Sequence, residues 1–346
     1  WNERDAVRQT KALVWTGLDD AAYQRGVRDP EHLALLRALA PSRVMVVPLV
    51  ARGRVLGLIT LLDVGDSQER APDDVALAEE LASRAALALD NGLLYESRLR
   101  ITRSLQAALL PPALPDAPGL LFAARYQVAE PAIEIGGDFY DVIELGDGAW
   151  GVVVGDVCGR GPDAAALTGV VRHSVRAAVV RARRPSRVLA QTNEAVLSQI
   201  DDSSFCTVAY LRVEVIEGVD NPIRVTAACA GHPRPVLVRA DGQTEFLACG
   251  GLLLGVVPTL ELVEAEVFLG PDDAVVLYTD GVTEARSGGD LFGDDRLLAA
   301  LAGLAGSPAS DMADGLLAAV HAYQCNEDDD VAIVVVQASP SPDLVA

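Results

Sequence analysis

The stretch VVLYTDGVTEA, residues 275–285, constrains the fold of this chain more than any other. Its first four residues form an apolar run typical of a buried β-strand, and the polar Thr279-Asp280-Gly281 follows at once. A single Asp-Gly at a strand end is usually a solvated turn. The alternative is that the strand delivers a carboxylate to the rim of a sheet. Other segments of the chain help to decide between a solvated turn and a carboxylate at the rim of a sheet.

Three further segments place an acid at the edge of an apolar strand. They are IEIGGDFYDVIEL (133–145), WGVVVGDVCGRG (150–161) and CNEDDDVAIVVV (325–336). The four acids that share this placement are Asp138, Asp156, Asp280 and Asp329. Carboxylates crowded within a few ångströms stay ionised together only if cations neutralise them. Together the four acids predict a cation site at one rim of a β-sandwich, whereas the alternative is a set of ordinary strand-end turns.

Composition narrows the choice of partners. Acids outnumber Lys plus Arg by 49 to 28, giving a formal net charge of −21. This negative net charge repels phosphate backbones and anionic lipids, so we expect neither nucleic acid nor a membrane as a partner. No apolar run approaches 18 residues and no signal peptide is recognisable. Five scattered cysteines without a C-x-x-C pair predict a reducing, cytoplasmic location and no disulfide framework.

The histidines narrow the choice of metal. Only four are present, at positions 32, 173, 232 and 321, and none has metal-ligand spacing. A metal site in this chain is therefore expected to consist of oxygen ligands. Such ligands favour magnesium or manganese over zinc.

The length of 346 residues suggests two domains. RVMVVPLVARGRVLGLITLL (43–62) predicts a hairpin that turns at Arg52-Gly53. A long Ala/Leu-rich helix is predicted over 71–99, continuing towards Leu110. LLPPALPDAPG (109–119) ends it, because proline cannot continue a helix.

The long helix carries a seven-residue repeat formed by Leu87, Leu94, Ile101 and Ala108. Such a repeat is typical of a coiled-coil seam and predicts a possible homodimer through the linker helix. Polar Asn91 and Arg98 lie on the same side. The alternative, a helix packed on its own domain, therefore stays open.

From Leu120 onward, strands dominate the ends and helices the middle. The predicted strands are 121–129, 139–145, 150–157, 205–216, 223–230, 235–240, 262–269, 274–279 and 331–337. The predicted helices are 162–183, 186–201, 294–304 and 309–324. Because most strands follow one another without a helix between them, we expect antiparallel sheets flanked by helices.

The hairpin and long helix, about residues 30–97, resemble the C-terminal part of a GAF domain, a module that senses small molecules or signals. The usual first elements are not recognisable upstream, so the resemblance is to a partial domain. We expect a partial GAF-like sensor at 1–95, a helical linker at 96–119, a second domain at 120–338 and a disordered tail at 339–346.

A second resemblance rests on six ordered motifs. They are GGDFYD, GDVCGRGPDAAALTG, CAGHPRPVLV, GGLLLGV, LYTDGVTEAR and DDDVAIVVV. Their order and spacing resemble the SpoIIE/RsbU branch of the metal-dependent phosphatase 2C-like (PPM) family over about 105–338. The resemblance departs at Cys229, where Asn is usual, and at Leu253, where Pro is common. The expected fold class is α+β: a GAF-like antiparallel sheet with helices, then a PPM-type α-β-β-α sandwich.

The resemblance implies a site with two Mn²⁺ or Mg²⁺ ions. Asp156 would bridge both ions. Asp138 and the backbone carbonyl of Val157 would complete one site, and Asp280 and Asp329 the other.

The final acidic run leaves a one-residue ambiguity. Asp329 is preferred over Asp328 and Asp330, because it aligns with the first acid of the family's final pair.

The implied activity is a protein serine/threonine phosphatase that hydrolyses its substrate with a metal-activated water. The substrate that this branch implies is a phosphorylated anti-anti-sigma (STAS) protein in a sigma-factor partner-switching pathway, with the GAF-like domain and its small-molecule ligand regulating the enzyme. The alternative is a catalytically silent scaffold that binds STAS partners or a ligand. A nucleotide-output enzyme is a third possibility, but the chain has no P-loop.

Five neighbouring residues have secondary expectations. His232 could donate a proton or shape a turn, and the turn is favoured. Arg160 could meet substrate phosphate or pair with an acid. Cys158 is expected to be a small buried hydrophobe, Gly281 to keep a turn open, and Asp141 to support the site from behind the ligands.

Overall fold

The computed structural model describes residues 3–27, 29–64, 72–111, 113–129, 136–199, 204–216, 223–324 and 329–339. The chain divides into two compact units, Trp1–Arg98 and Leu99–Ala346. Within the described ranges, every helix is too short or too polar for a membrane crossing. The expected tail lies outside the described residues, apart from its first residue, Ser339.

The first unit is a small antiparallel sheet with helices. Its elements are α1 (Glu3–Gln9), β1 (Leu13–Thr16), α2 (Asp20–Gly26), α3 (Pro30–Leu39), β2 (Pro41–Ala51), β3 (Arg54–Val64) and α4 (Pro72–Leu109), whose last residues belong to the second unit. The strand order is β1-β2-β3. The predicted hairpin is confirmed, with Arg52 and Gly53 both at positive φ, as a two-residue hairpin turn requires.

Strand β2 explains how this unit packs. Alternate residues point to opposite faces of a strand. Val44 and Val46 accordingly pack with Ala6 of α1, whereas Met45 and Val47 pack with Ala82 of α4. The first three helices and β1 were not recognised from the sequence, because their apolar runs are short. The side chains of Asp19 and Asp29 cap α2 and α3.

The second unit contains the remaining elements. Its strands are β4 (Leu120–Gln127), β5 (Phe139–Gly146), β6 (Ala149–Val157), β7 (Cys206–Val215), β8 (Ile223–Ala230), β9 (Val236–Val238), β10 (Thr244–Phe246), β11 (Gly250–Gly251), β12 (Leu262–Leu269), β13 (Ala274–Tyr278), β14 (Arg286–Ser287), β15 (Asp290–Leu291) and β16 (Val331–Ala338). Its helices are α5 (Pro162–Ala178), α6 (Pro185–Leu197), α7 (Asp280–Thr283), α8 (Gly293–Gly303) and α9 (Ala309–Tyr323).

Eleven of these strands form two antiparallel sheets that pack face to face, and β14 pairs with β15 in a separate two-stranded hairpin. Across the described residues, one sheet has the order β11-β12-β8-β7-β6-β5 and the other β10-β9-β13-β16-β4. Residues of both inner faces, such as Val152 and Leu211 from one sheet and Leu277 and Val334 from the other, share one buried cluster. The core of the sandwich therefore lies between the sheets.

The outer face of each sheet is covered by two helices. Val171 of α5 and Leu189 of α6 pack with Val153 and Tyr210 of the six-stranded sheet. Leu301 of α8 and Leu316 of α9 pack against the other sheet. This arrangement confirms the expected α-β-β-α sandwich. The short strands β10, β11, β14 and β15 were missed because two or three residues carry too little periodicity.

Candidate metal centre

Asp138 and Asp156 are brought together by the pairing of β5 with β6. Phe139 lies opposite Gly155 in this antiparallel pair. The main-chain N–H of Val157 donates to the carbonyl of Gly137 at 3.2 Å, which extends the pairing past the end of β5. The residue before β5 and the end of β6 therefore meet at one rim of the sheet.

Gly137 is required for this close approach. A Cβ at this position would overlap the Val157 carbonyl oxygen and lie 2.6 Å from Asp156 Oδ1. Real Cβ atoms essentially never approach a heavy atom so closely. The GGD motif thus serves to let two backbones and one carboxylate share a small space.

Asp280 and Asp329 come from the other sheet. Tyr278 of β13 pairs with Ile333 of β16, so the chain before β16 lies beside the chain after β13. Thr279 strengthens this rim, because its N–H donates to the Ala332 carbonyl at 3.0 Å and its hydroxyl oxygen accepts from the Ala332 N–H at 2.9 Å.

The carboxylates of three predicted ligands converge. One oxygen from each of Asp138, Asp156 and Asp280 lies within 4.8 Å of the others. Asp329 is not in that triplet, but it lines a cavity of about 190 Å³ together with Asp138, Asp156 and Val157. Its side chain is half-exposed and accepts a hydrogen bond of 2.8 Å from Arg160 Nη2.

The electrostatics of this cluster favour a bound cation. Burial raises the pKa of Asp138 well above its usual range, the Asp156 charge adds to the rise, and a hydrogen bond from Thr279 opposes it. Burial raises the pKa of Asp156 to about 7, with further contributions from Asp280 and Asp329. Burial, then the Asp329 and Glu284 charges, raise the pKa of Asp280. Each carboxylate is thus costly to ionise without a neutralising partner.

A buried atom without a partner supports the same conclusion. Asp138 Oδ2 is buried and accepts no hydrogen bond from the described residues. Buried polar atoms are nearly always satisfied, so an exception calls for an unseen partner. Hard divalent cations prefer carboxylate and carbonyl oxygens, which are the atoms offered here. The residues present therefore fit Mn²⁺ or Mg²⁺.

Asp330 has a different environment from Asp329. It is 4 % exposed, and its Oδ1 accepts from the main-chain N–H of Ala129 at 2.8 Å. Tyr126 Oη donates to its Oδ2 at 3.4 Å. Asp330 therefore joins the end of β4 to the start of β16. Asp328 lies outside the described residues.

Gly281 has a different role from the one expected. It lies within the short helix α7, and a Cβ there would overlap the Asp330 carbonyl oxygen. Its small size permits close packing of α7 on the chain before β16. The expectation of an open turn is wrong, because the chain becomes helical directly after Thr279.

His232 is buried and joins the two sheets through hydrogen bonds. Its Nε2 lies 3.1 Å from the Tyr278 carbonyl and its Nδ1 lies 2.9 Å from Thr207 Oγ1. Burial lowers its pKa to about 3, so the ring is neutral. Because a carbonyl can only accept, Nε2 carries the proton and Nδ1 accepts from Thr207. Both nitrogens are engaged, which favours the turn-shaping role over proton donation.

Asp141 is a buried carboxylate near the site that pairs with two arginines of α5. Its carboxylate is fully buried and accepts from Arg172 at 2.8 Å and from Arg176 at 2.7 and 2.9 Å. Arg172 also donates to the Leu109 carbonyl at the end of α4. These ion pairs fix α5 to β5 three residues after Asp138. The arginines were missed, although their i, i+4 spacing places them on one helix face.

Two expectations about the loop after β6 are resolved. Of the two expectations for Arg160, contact with substrate phosphate or pairing with an acid, the structure shows the pairing, with Asp329. Cys158 is exposed, so the expectation of a buried hydrophobe is wrong. The chain leaves the sheet at Val157, and the side chain that follows faces solvent.

Comparison with known proteins identifies the family. The family model for Stage II sporulation protein E (SpoIIE) matches residues 146–339, more than half of the chain. The chain belongs to the SpoIIE family. The GAF domain model matches residues 3–89, so a GAF domain precedes the SpoIIE region.

Two characterised proteins are similar in sequence to part of this SpoIIE-family chain. Protein IcfG of Synechocystis sp. is 28 % identical over 58 % of this chain and 34 % of its own length. Phosphoserine phosphatase RsbU of Bacillus subtilis is 27 % identical over 56 % of this chain and 55 % of its own length. The chain thus spans between about a third and just over half of the relatives it matches.

Solved structures support the fold. The RsbU and RsbW domains of Rv1364c from Mycobacterium tuberculosis match with a TM-score of 0.58 and 27 % identity, over 68 % of this chain and 64 % of that one. The SiaA-PP2C domain of Pseudomonas aeruginosa matches with a TM-score of 0.59 and 22 % identity, over 72 % of this chain and 99 % of that one. The SpoIIE-family region therefore has the PP2C-like fold.

Proposed function

We propose that this chain is a metal-dependent protein serine/threonine phosphatase of the two-metal PPM type. The observation that carries the proposal is the convergence of Asp138, Asp156 and Asp280 within 4.8 Å, from the rims of two sheets. Burial and the charges of neighbouring carboxylates raise the pKa of all three. Membership of a family with a relative named as a phosphoserine phosphatase supports the same activity.

The proposed ligand set is the one that the family resemblance implies, and the convergence of Asp138, Asp156 and Asp280 supports it. Asp156, Asp138 and the Val157 carbonyl, together with Asp280 and Asp329, would hold two Mn²⁺ or Mg²⁺ ions. When bound, such ions supply a water of lowered pKa and offset charge on the phosphoryl oxygens.

The chain's own residues shape the reaction site. The rim formed by Gly137 and Thr279 fixes the carboxylates, so little reorganisation is needed during the reaction. Arg160 lies at the mouth of the cavity, where its guanidinium can shift from Asp329 to a phosphoryl oxygen of the substrate. His232 positions strands and transfers no proton, because both of its nitrogens are occupied.

The proposed substrate is a phosphorylated STAS anti-anti-sigma protein, whose dephosphorylation switches partners and releases a sigma factor. One relative is named RsbU, and one solved structure combines RsbU and RsbW domains, which supports this class of pathway. We place the protein in the cytoplasm, in keeping with its cysteine usage. We further propose that a small-molecule ligand of the GAF domain regulates the phosphatase.

The decisive assay is phosphate release from a serine-phosphorylated STAS-domain protein by the full chain. We expect release with added MnCl₂ and none with excess EDTA. The rival function, a silent scaffold, predicts that the phosphorylated protein binds and keeps its phosphate at every manganese concentration. An unphosphorylated sample of the same STAS protein controls for free phosphate.

A further inference from the structure

A second cleft adjoins the metal centre on the side of Asp280. Its volume is about 430 Å³, within the range of ligand pockets. The side chains that line it include Thr207, His232, Arg234, Phe246, Asp280 and Glu284. Since Asp280 also belongs to the carboxylate triplet, a molecule held at the metal centre can extend into this cleft without leaving the surface.

Arg234 is the feature of this cleft that the mechanism leaves unused. Its guanidinium carbon lies 4.8 Å from the centre of the Phe246 ring. Among the described residues, no carboxylate or carbonyl accepts a hydrogen bond from it, although Arg160, Arg172 and Arg176 all have such acceptors. Stacking on an aromatic ring orients the planar guanidinium and leaves its N–H donors free. Arg234 therefore presents pre-oriented donors to whatever occupies the cleft.

The charges around Arg234 define the acceptor it suits. Glu284 and Asp294 also line the cleft and are exposed, so Arg234 shares the cleft with two carboxylates besides Asp280. An acidic side chain entering here would meet net repulsion. A neutral main-chain carbonyl would meet donors without that penalty. The cleft is thus suited to a polypeptide backbone more than to an anion.

We propose that this cleft binds the polypeptide segment next to the phosphoserine, with Arg234 donating to its main-chain carbonyls. The proposal rests on the phosphatase function proposed above. It makes Arg234 a specificity-determining residue: it contributes to binding only when a peptide extends from the phosphate. A small phosphate monoester reaches the metal centre alone and gains nothing from Arg234.

The test compares two substrates, p-nitrophenyl phosphate and a synthetic phosphoserine nonapeptide, with the full chain in manganese. For Arg234→Ala, we expect kcat/KM for the peptide to fall about tenfold, the typical effect of losing a hydrogen bond to a charged group. For p-nitrophenyl phosphate we expect a change of less than about twofold. Arg234→Lys keeps the charge but loses the planar fork, so an intermediate loss is expected.

Arg296 supplies a matched control. Its guanidinium carbon also lies 4.8 Å from a ring centre, that of Tyr323, but its donors are used by the carbonyls of Leu291 and Phe292. It does not line the cleft. Arg296→Ala should therefore leave both substrates unaffected, and thermal melts of all variants check that each one is folded.

Two results would overturn the proposal: an unchanged kcat/KM for the peptide, or an equal loss for both substrates, which would assign Arg234 to the phosphoryl group. If the wild-type chain hydrolyses neither substrate, the phosphatase function fails separately. Binding of the fluorescently labelled nonapeptide then decides: a Kd about tenfold weaker for Arg234→Ala upholds the cleft, and an equal Kd rejects it.

Discussion

Asp330 Oδ1 accepts a hydrogen bond of 2.8 Å from the main-chain N–H of Ala129. This contact separates the roles of two neighbouring acids. Both acids line the cavity of the proposed metal site, but Asp330 is buried and its hydrogen bond joins two strands, whereas Asp329 is half-exposed and pairs with Arg160. The two adjacent carboxylates should therefore respond differently to removal.

Asp330→Ala leaves the buried Ala129 N–H unpaired, so we expect the free energy of unfolding to fall by about 1–3 kcal/mol. Asp329→Ala removes an exposed ion pair and should change that free energy by less than about 1 kcal/mol, while abolishing manganese-stimulated hydrolysis. Urea unfolding and phosphate release measure the two effects. Asp328→Ala is the control for the register of the acidic run: if it damages manganese binding more than Asp329→Ala, Asp328 is the ligand.

Gly137→Ala tests the close packing of the site. The new Cβ would collide with the Val157 carbonyl, so the rim must shift, and we expect loss of manganese-dependent activity together with a lower melting temperature. Gly169→Ala is the matched control, because Gly169 lies in α5 with nothing within 4 Å of the position that an added methyl group would take. It should stabilise the protein by up to about 1 kcal/mol through helix propensity. Equal activity and equal melting temperatures for the two variants would show that the site does not depend on the close approach at Gly137.

His232 should make stability depend on pH. Its pKa is about 3 when folded, because of burial, and about 6.5 when unfolded. The unfolded chain therefore binds a proton below pH 6.5 that the folded chain does not. The resulting loss of stability begins near pH 6.5 and grows by about 1.4 kcal/mol per pH unit as the pH falls towards 3.

The measurement is the difference in unfolding free energy between the wild type and His232→Gln. This difference removes the contributions of other groups, and it should shrink by roughly 2 kcal/mol between pH 7 and pH 5. The exposed His173 provides the control substitution, His173→Gln. A difference that stays constant across this range would show that folding does not lower the pKa of His232.

The seam on α4 predicts the oligomeric state. Leu87, Leu94 and Ile101 are 51 %, 41 % and 57 % exposed, and the side chain of Ala108 lies outside the described residues. We expect a homodimer in sedimentation velocity, and Leu94→Glu with Ile101→Glu should yield monomers, since a buried seam cannot hold charges. Leu89→Glu, also exposed but off the seam, is the control. A monomeric wild-type chain would contradict the proposed dimer.

Much of the fold was predictable, because the strands β4 to β8 and β16 are each at least eight residues long and mostly apolar, and β6, β7 and β16 are rich in β-branched residues. Hydrophobic runs of that length are strong signals. Helix α5 was predicted to continue to residue 183 but ends at Ala178; the turn that follows keeps only a few helix-like hydrogen bonds, such as that from the Ala182 N–H to the Ala178 carbonyl at 2.9 Å. Ends of elements depend on capping and packing, which periodicity does not report.

The candidate site was partly predictable for a related reason. Each acid next to a strand end could be found locally, and their convergence follows once the strands pair. The stacking of Arg234 on Phe246 and the pairing of Arg172 and Arg176 with Asp141 could not be found in this way. These contacts join residues whose proximity is set by the packing of loops and helices on the sheets, and no local pattern encodes it.

The two-metal site is tested most directly by measuring manganese-dependent phosphate release by Asp156→Asn. The control variant is Asp147→Asn, at the other end of the β5–β6 hairpin. We expect Asp156→Asn to stay folded, to show no rise in melting temperature when manganese is added and to release no phosphate, whereas Asp147→Asn should behave as the wild type. At pH 8 without metal, Asp156→Asn should even be the more stable protein, because Asp156, with a pKa raised to about 7 chiefly by burial, is ionised there at a cost. Manganese-stimulated release that persists in Asp156→Asn would contradict the two-metal site.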